Sequence, residues 1–467
     1  MRPAPLNRRK FVRAGGAALA CSALSYGRIL GSNDRISMAQ IGLGNRGREL
    51  ASIVSDLKGQ FNVEMTAVCD LWSVNRERGA QAAANAYGRR PRTFQYMEEM
   101  LALSDVDAVI ISTADFQHAP ILSLVAESGR DAYCEKPMAN VLEEAKAARA
   151  AVRRRNLVVQ IGTQHCSEPY QCAARKLVAS GALGEISKVE IVWNYHGPRW
   201  RGRPEVKQIR EADTDWKKWL LSKPYRPFDP RLYFEFRLYR EFSSGIADQW
   251  MSHATDMVHS FLGDHYPASV VSHGGIFAWK DGRENPDTFQ ALLEYPAGFL
   301  VSYSTSFGND SDSFTRFMGK KATLLNVGGE GSQRWKLVEE KGSREANPFV
   351  RRSERLVLLE KDGRRGMNWR QRLFSSAVEK TYGPLPFISD SNSCHMQNWF
   401  ECLRSRKEPN ANIDRGFAHS VAVILAARSY QEGRRLYWDR RTEQIVDSRP
   451  EMFPSTAGGA GFGSPVE

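Results

Sequence analysis

From Arg35 to Ile161 the chain alternates short apolar runs with longer helix-patterned stretches, and the first run ends in Gly42-Leu43-Gly44-Asn45-Arg46-Gly47. Few architectures accommodate this pattern. A parallel crossover needs a helix to return the chain, so strands alternating with helices imply a parallel sheet covered on both faces. The glycines permit a tight turn where strand gives way to helix, and let a phosphate approach the N–H groups at the helix start. Strands are predicted over 35–41, 63–69, 106–111, 131–134 and 157–161, and helices over 46–57, 73–87, 118–127 and 141–154. The fold class is α/β, opening with a doubly wound, dinucleotide-binding sheet of the Rossmann kind over 36–160.

After Gly162 the pattern changes. A helix is predicted over 166–180, an alternating strand over 186–195, and Trp/Pro-rich loops over 198–230. Strands then follow without intervening helices at 268–277, 289–294, 299–306 and 322–326, with closing helices at 394–404 and 418–432. Such a run implies a second α/β domain, over 161–440, built on a large, open, mainly antiparallel sheet. Gly328-Gly329-Glu330-Gly331 reads as a turn, the polar stretch 340–390 as a surface excursion, and the Gly/Ser/Pro-rich tail 450–467 as disordered.

The chain has 467 residues and a formal charge of +12. Arg2, Arg8, Arg9, Lys10 and Arg13 supply much of that excess from one end. No basic stripe with interleaved aromatics lies elsewhere, so the charge is not a nucleic-acid signal. Asn7-Arg8-Arg9-Lys10-Phe11-Val12-Arg13 has the twin-arginine form, and 14–24 is a short, weakly apolar stretch suited to a signal peptide and too short to span a bilayer. Ala18-Leu19-Ala20 is a candidate cleavage site, and Cys21 sits in a poor lipidation context. Residues 1–34 are therefore read as a twin-arginine signal and linker, which places the mature protein in the periplasm or outside the cell, with no stable membrane span. None of the seven cysteines forms a C-x-x-C, and their spacing does not suggest zinc.

Four places carry candidate chemistry. Asp70 ends the second strand, where a carboxylate accepts hydrogen bonds from an adenosine ribose and disfavours a 2′-phosphate; the cofactor expected is NAD, with NADP disfavoured. The segment from Ser112 through Thr113 to His118 follows the third strand and faces the nicotinamide side; His118 either contacts the ligand or caps the next helix. Glu135-Lys136-Pro137 closes the strand over 131–134, so Lys136 leaves at the sheet edge where ligands of α/β sheets sit, its direction fixed by the proline. Last, Asp248-Gln249-Trp250-Met251-Ser252-His253-Ala254-Thr255-Asp256 and His259 carry helical spacing. His253 is either a satisfied core histidine or a general acid/base. His253, Asp256 and His259 also have a metal-compatible spacing, but no metal is expected.

These motifs, in order, resemble the Gfo/Idh/MocA family of glucose–fructose oxidoreductases and inositol dehydrogenases. Further matches are Gly162-Thr163-Gln164, Thr214-Asp215-Trp216 with Trp219, and Asn398-Trp399-Phe400. The resemblance implies that Gly42, Gly44, Asn45, Arg46, Gly47, Asp70, Thr113, His118, Glu135, Lys136 and Gln164 surround the cofactor. It implies that Lys136 holds the substrate hydroxyl, that His253 exchanges its proton, and that Asp248, Gln249 and Trp216 contact substrate. The second sheet would often serve as the interface of a homo-oligomer. Many members carry an aspartate four residues before the histidine; here that position is Gln249, and Asp248 lies one residue further back. Either Asp248 shifts into place or His253 works without that acid.

The function expected is NAD(P)-dependent oxidation of a sugar or cyclitol hydroxyl by hydride transfer, with a tightly held cofactor. Two alternatives remain: a glycoside hydrolase that oxidises its substrate transiently, and a non-catalytic sugar- or nucleotide-binding relative.

Overall fold

The computed structural model describes residues 35–263, 265–327, 335–340, 356–357 and 391–450. The expected twin-arginine leader, the turn expected at 328–331, most of the stretch 340–390 read as an excursion and the expected disordered tail after 450 lie outside the described residues.

The first sheet is six-stranded and parallel, in the order β3-β2-β1-β4-β5-β6. Its strands are β1 (Ile36–Ile41), β2 (Val63–Cys69), β3 (Arg92–Phe94), β4 (Ala108–Ile111), β5 (Asp131–Cys134) and β6 (Val159–Ile161). Helices α1 (Asn45–Phe61), α2 (Ser73–Tyr87), α3 (His118–Glu127) and α4 (Leu142–Arg155) cover its faces. β4 and β5 are buried at every residue, which is why they read as unbroken apolar runs. The strand order reverses between β1 and β4, the crevice where doubly wound sheets bind ligands. Register then gathers the motifs. Ile41 pairs with Ile111, Ile111 with Cys134, and Cys134 with Ile161. The residues that follow, Gly42, Ser112, Glu135 and Gly162, therefore emerge along one edge.

The second sheet is mixed, mostly antiparallel and, among the described residues, eleven-stranded. Its centre is β7 (Ile186–His196), β8 (Ser269–Gly275), β9 (Thr288–Tyr295) and β10 (Phe299–Ser306), with β11 (Gly308–Asn309) and β12 (Phe314–Gly319) beside β7. The long β7 pairs parallel with β10 and antiparallel with β12. β13 (Ala322–Val327), β14 (Trp335–Glu339) and β15 (Leu356–Val357) extend one edge, and β16 (Leu436–Asp439) and β17 (Gln444–Val446) the other. One face packs against α5 (Pro169–Ala179), α6 (Ser252–Leu262) and α8 (Ile413–Glu432) in a continuous core with the first sheet.

Two features tie the domains together. Helix α7 (Ser391–Ser405) returns to the first domain, where Trp399 and Phe400 are fully buried against Tyr133 and Phe61. The segment from Ile209 to Phe242, predicted as loops only up to 230 and not assigned beyond it, forms an aromatic cluster with Trp72, Ala114 and Phe116 of the first domain. Trp219 stacks on Trp216 (4.8 Å) and meets Phe116 edge-on (5.1 Å), while Phe234 meets Trp72 (5.2 Å). Gln117 Nε2 donates to the Trp219 carbonyl at 2.6 Å and Tyr96 Oη to Asp215 at 3.2 Å.

A dinucleotide cleft and the Lys136 cluster

A cleft of about 1030 Å³ opens at the switch point, lined by Gly42, Gly44, Asn45, Arg46, Asp70 and Thr113 on the first-domain side. Its other wall is the aromatic flap, including Lys218, Trp219, Tyr233 and Arg237. The glycine loop is shaped for a phosphate. Gly42 has φ +88°, and a Cβ there would lie 2.5 Å from the Ser112 carbonyl oxygen. A Cβ on Gly47 would lie 2.2 Å from the Gly42 oxygen, whereas one on Gly44 meets nothing within 4 Å. Gly44 thus fronts open space at the N-terminus of α1, where no side chain caps the helix. Uncapped N–H groups and the helix dipole make an anion site.

Asp70 lies at the next strand end and is buried. Its Oδ2 accepts the Leu43 N–H at 2.7 Å and its Oδ1 the Trp72 N–H at 2.9 Å. Burial raises its pKa, opposed by those N–H donors. These residues fit a dinucleotide: a cradle for pyrophosphate, and a carboxylate with lone pairs to spare for ribose hydroxyls.

Beyond the Arg237 end of the cleft lies a second group, centred on Lys136. Glu135 Oε1 accepts from Arg46 Nε at 2.7 Å, tying this strand end to the glycine loop. Lys136 Nζ donates to the Gln249 carbonyl at 2.7 Å and to Gln249 Oε1 at 2.9 Å. Burial, then the nearby Arg237 cation, lowers the Lys136 pKa to about 8. Gln249 belongs to a π-helical turn, Ala247–Met251, that runs directly into α6. Such wide turns absorb an extra residue and recur at functional sites. Asp248 on this turn does not reach Lys136: its carboxylate accepts from Ser244 N–H and from Ser243 Oγ. Burial, then the charge of Asp115, raises the Asp248 pKa to about 7.

His253 sits at the start of α6, buried, with its ring 4.9 Å from that of His165. Burial, then Lys136 and His165, holds it neutral, well below the ordinary histidine range. Among the described residues its Nδ1 has no hydrogen-bond partner. Asp256 and His259 are engaged elsewhere, with Arg415 (2.9 Å) and Tyr295 (2.8 Å). Among the described residues, no group of three or more His, Cys, Asp or Glu is placed to hold a metal.

The remaining candidates divide. His118 is buried, with Nδ1 2.7 Å from the Pro137 carbonyl and Nε2 3.3 Å from that of Thr113, so it braces the two strand-end loops against each other. Gln164 opens the turn after β6 and does not line the cleft. Trp216 is buried in the flap, its indole N–H donating to the Arg226 carbonyl at 2.7 Å. The sequence reading missed Asp115, which is fully buried at the heart of this cluster.

The oxidoreductase family's NAD-binding Rossmann-fold profile matches residues 36–163, and its C-terminal α/β-domain profile matches 221–437. The chain belongs to the Gfo/Idh/MocA oxidoreductase family. Among curated relatives of this Gfo/Idh/MocA protein, an inositol 2-dehydrogenase of Rhizobium meliloti is 31% identical over 32% of the chain and 43% of its own length. A glycosyl hydrolase family 109 protein of Shewanella baltica is 26% identical over 47% of the chain and 51% of its own length. The chain thus spans about half, or less, of these curated relatives. Solved structures establish the fold alone. WlbA dehydrogenase from Bordetella pertussis, in complex with NADH and UDP-GlcNAcA, superposes with a TM-score of 0.61 at 19% identity, covering 87% of this chain and 99% of that one. Levoglucosan dehydrogenase, in complex with NADH, gives 0.62 at 16% identity over 86% and 98%. Aldose-aldose oxidoreductase from Caulobacter crescentus gives 0.61 at 17% identity over 86% and 99%.

Proposed function

We propose that this protein is an NAD-dependent oxidoreductase that removes hydride from a sugar or cyclitol hydroxyl carbon, with its cofactor retained under the aromatic flap. The observation that carries this reading is Lys136: an amine brought to a pKa of about 8 at the strand end beside a cleft shaped for a dinucleotide. The bound dinucleotide supplies the hydride acceptor. Gly42, Gly44 and Asn45 cradle its pyrophosphate, Gly47 lets the loop close behind them, and Arg46 and Glu135 join that cradle to the Lys136 strand end. Asp70 binds the adenosine ribose and disfavours a 2′-phosphate, so NAD is preferred to NADP. Thr113 borders the nicotinamide side.

Lys136 takes the hydroxyl proton, because a group with a pKa near the working pH is both deprotonated often enough and basic enough to act. His253, neutral and with a free ring nitrogen, bonds the same oxygen. Gln249 orients Lys136, and His118 and Gln164 shape the loops around it. The Trp216 cluster and the burial of the cleft wall support retention, and a twin-arginine leader supports work in the periplasm or outside the cell, where free dinucleotide is scarce. Leu292 and Leu300, exposed on the open face of the second sheet, support assembly as a homo-oligomer.

The test is Lys136→Ala. Turnover should fall by at least ~10³-fold while dinucleotide binding persists, and an unchanged rate would sink the site. In the wild-type protein the oxidation rate should rise with pH to a plateau with a midpoint near the Lys136 value of about 8, since only the neutral amine accepts the proton. The similarity to family 109 glycosyl hydrolases favours one second reading, cleavage of a glycosidic bond through transient oxidation. Release of an aryl glycoside's leaving group with no cofactor added would select it.

A further inference from the structure

We infer that Asp115 is a positioning residue for Lys136, acting through the side-chain amide of Gln249. This inference rests on the role proposed above for Lys136. Gln249 Nε2 donates to Asp115 Oδ2 at 2.7 Å, and Gln249 Oε1 accepts from Lys136 Nζ at 2.9 Å. An amide is a donor at one end and an acceptor at the other. A carboxylate accepts only, so Asp115 fixes which end of Gln249 points away from it. The carbonyl must then face the lysine. Were the amide reversed, its NH₂ would meet a donor on Lys136 and its oxygen would meet the carboxylate.

Asp115 is itself held. Its Oδ1 accepts from Arg237 at 3.0 Å and its Oδ2 from Ser243 Oγ at 2.8 Å, and it has no exposed surface. A fully buried carboxylate needs such partners, since desolvation otherwise forces it neutral. The position four residues before His253 thus carries no charge of its own. A carboxylate 134 residues away in sequence serves it at second hand. Besides Asp115, Lys136 is faced by Glu135 and Arg46 from the first domain, and by Arg237, Asp248, His253 and His419 from the second.

The arrangement makes a charge-swap test possible. Asp115→Asn turns one of the two acceptor oxygens into a donor: with the remaining oxygen toward Arg237 the new NH₂ meets Gln249 Nε2, and the negative charge that balanced Arg237 beside Lys136 is gone. Gln249→Glu places a carboxylate against Asp115. Each single variant should lower kcat by ~10-fold or more with KM and dinucleotide affinity little changed, the loss of one charge-assisted bond. The double variant Asp115→Asn/Gln249→Glu exchanges the two groups, the new amide donating to the new carboxylate, while Ser243 Oγ, which donated to the same Asp115 oxygen, keeps Asp248 as its acceptor. It should recover kcat to within a few-fold of wild type.

The second readout is the pH dependence of Lys136 acylation by acetic anhydride, followed by peptide mass spectrometry on the full chain, which needs no turnover. Asp115→Asn should shift the Lys136 midpoint downward, and the double variant should bring it back to the wild-type value or above, since its carboxylate meets Nζ directly. A midpoint unmoved in Asp115→Asn, or a double variant no better than the worse single, overturns the relay. If Asp115→Asn does not fold, Gln249→Met serves. It breaks the relay at constant volume, and an unmoved Lys136 midpoint there overturns the inference equally. A protein without any dehydrogenase turnover whose Lys136 midpoint responds to Asp115→Asn when Gln249 is present, and less so in Gln249→Met, would refute the proposed activity and leave the relay standing.

Discussion

Trp219→Ala isolates the flap's part in holding the dinucleotide. Trp219 is 5% exposed and contributes two kinds of contact. Within the second domain it stacks on Trp216 at 4.8 Å and Tyr233 at 5.1 Å and meets Phe242 at 5.2 Å. Across the cleft it touches Phe116 at 5.1 Å. Truncating a buried tryptophan costs ~3–5 kcal/mol. Only the share made across the cleft is lost when the flap opens. The contact with Phe116 is one of these four, about a quarter of that packing, or ~1 kcal/mol, which converts to a ~5-fold larger open fraction. The bond from Gln117 survives, because Trp219 contributes its carbonyl. Dinucleotide release should therefore accelerate by that factor, measured as exchange of bound NAD against isotopically labelled NAD by mass spectrometry, with Tm recorded alongside. Trp335→Ala is the control: that tryptophan is also fully buried, but against Phe261 and Phe317 of the second domain. It should lower Tm without altering release. A Trp219→Ala protein with a reduced Tm and release within twofold of wild type would refute the reasoning.

Two further perturbations separate fold from site. Gly44→Ala should preserve Tm yet abolish dinucleotide binding, since its Cβ meets no protein atom within 4 Å and would fill the phosphate cradle; Gly47→Ala should lower Tm sharply, since its Cβ would lie 2.2 Å from a carbonyl oxygen. Calorimetry with and without NAD reads both. Asp248, raised from 3.8 to about 7, binds a proton in the folded chain that the unfolded chain has shed across that window. Its contribution to stability is present below pH 4 and lost as pH rises through about 7, of order ~4 kcal/mol for an isolated group. Asp248→Asn should remove that slope, so urea melts between about pH 5 and 8 should flatten relative to wild type; parallel slopes would count against a protonated Asp248.

The first domain was legible because its strands are buried on both faces, which leaves an unbroken apolar signature, and because the glycine loop marks where the sheet begins. Missed there were β3, where Arg92 and Thr93 are exposed and three residues at an edge carry no pattern, and the one-turn helix Met97–Leu101, too short to show a period. The second sheet was read in part. In β12 a single residue, Phe317, is buried, too little to show an alternation. The helix predicted over 166–180 is split, with a 3₁₀ turn at Gln164–Ser167 and α5 starting at Pro169; proline fits a first helical turn and not an interior. The place of Lys136 after β5 could be read because a strand end is a local feature. The link from Asp115 to Gln249 could not, since only the packed tertiary structure brings those residues together. The Trp/Pro-rich segment announced loops; that its rings close on Trp72 and Phe116 depends on the distant surface they meet.

The proposed retention of the cofactor and the tuning of Lys136 bear on each other. A dinucleotide that stays under the flap is left reduced after one oxidation. The next turnover then requires the hydride to leave by reaction, either onto a second carbonyl substrate or back onto the same sugar. Both routes run the proton step in reverse, with Lys136 as the acid. A lysine at its ordinary value would serve that return but would be a poor base near neutrality. One lowered far below neutrality would accept the proton weakly and rarely be charged. A value of about 8 populates both forms within a unit of the working pH, the condition for one group to serve both half-reactions. Burial and Arg237 push the amine down toward that point; Glu135 and Asp115 keep it from falling further. The same carboxylate that aims Gln249 thus also helps set the proton balance that an enclosed cofactor demands.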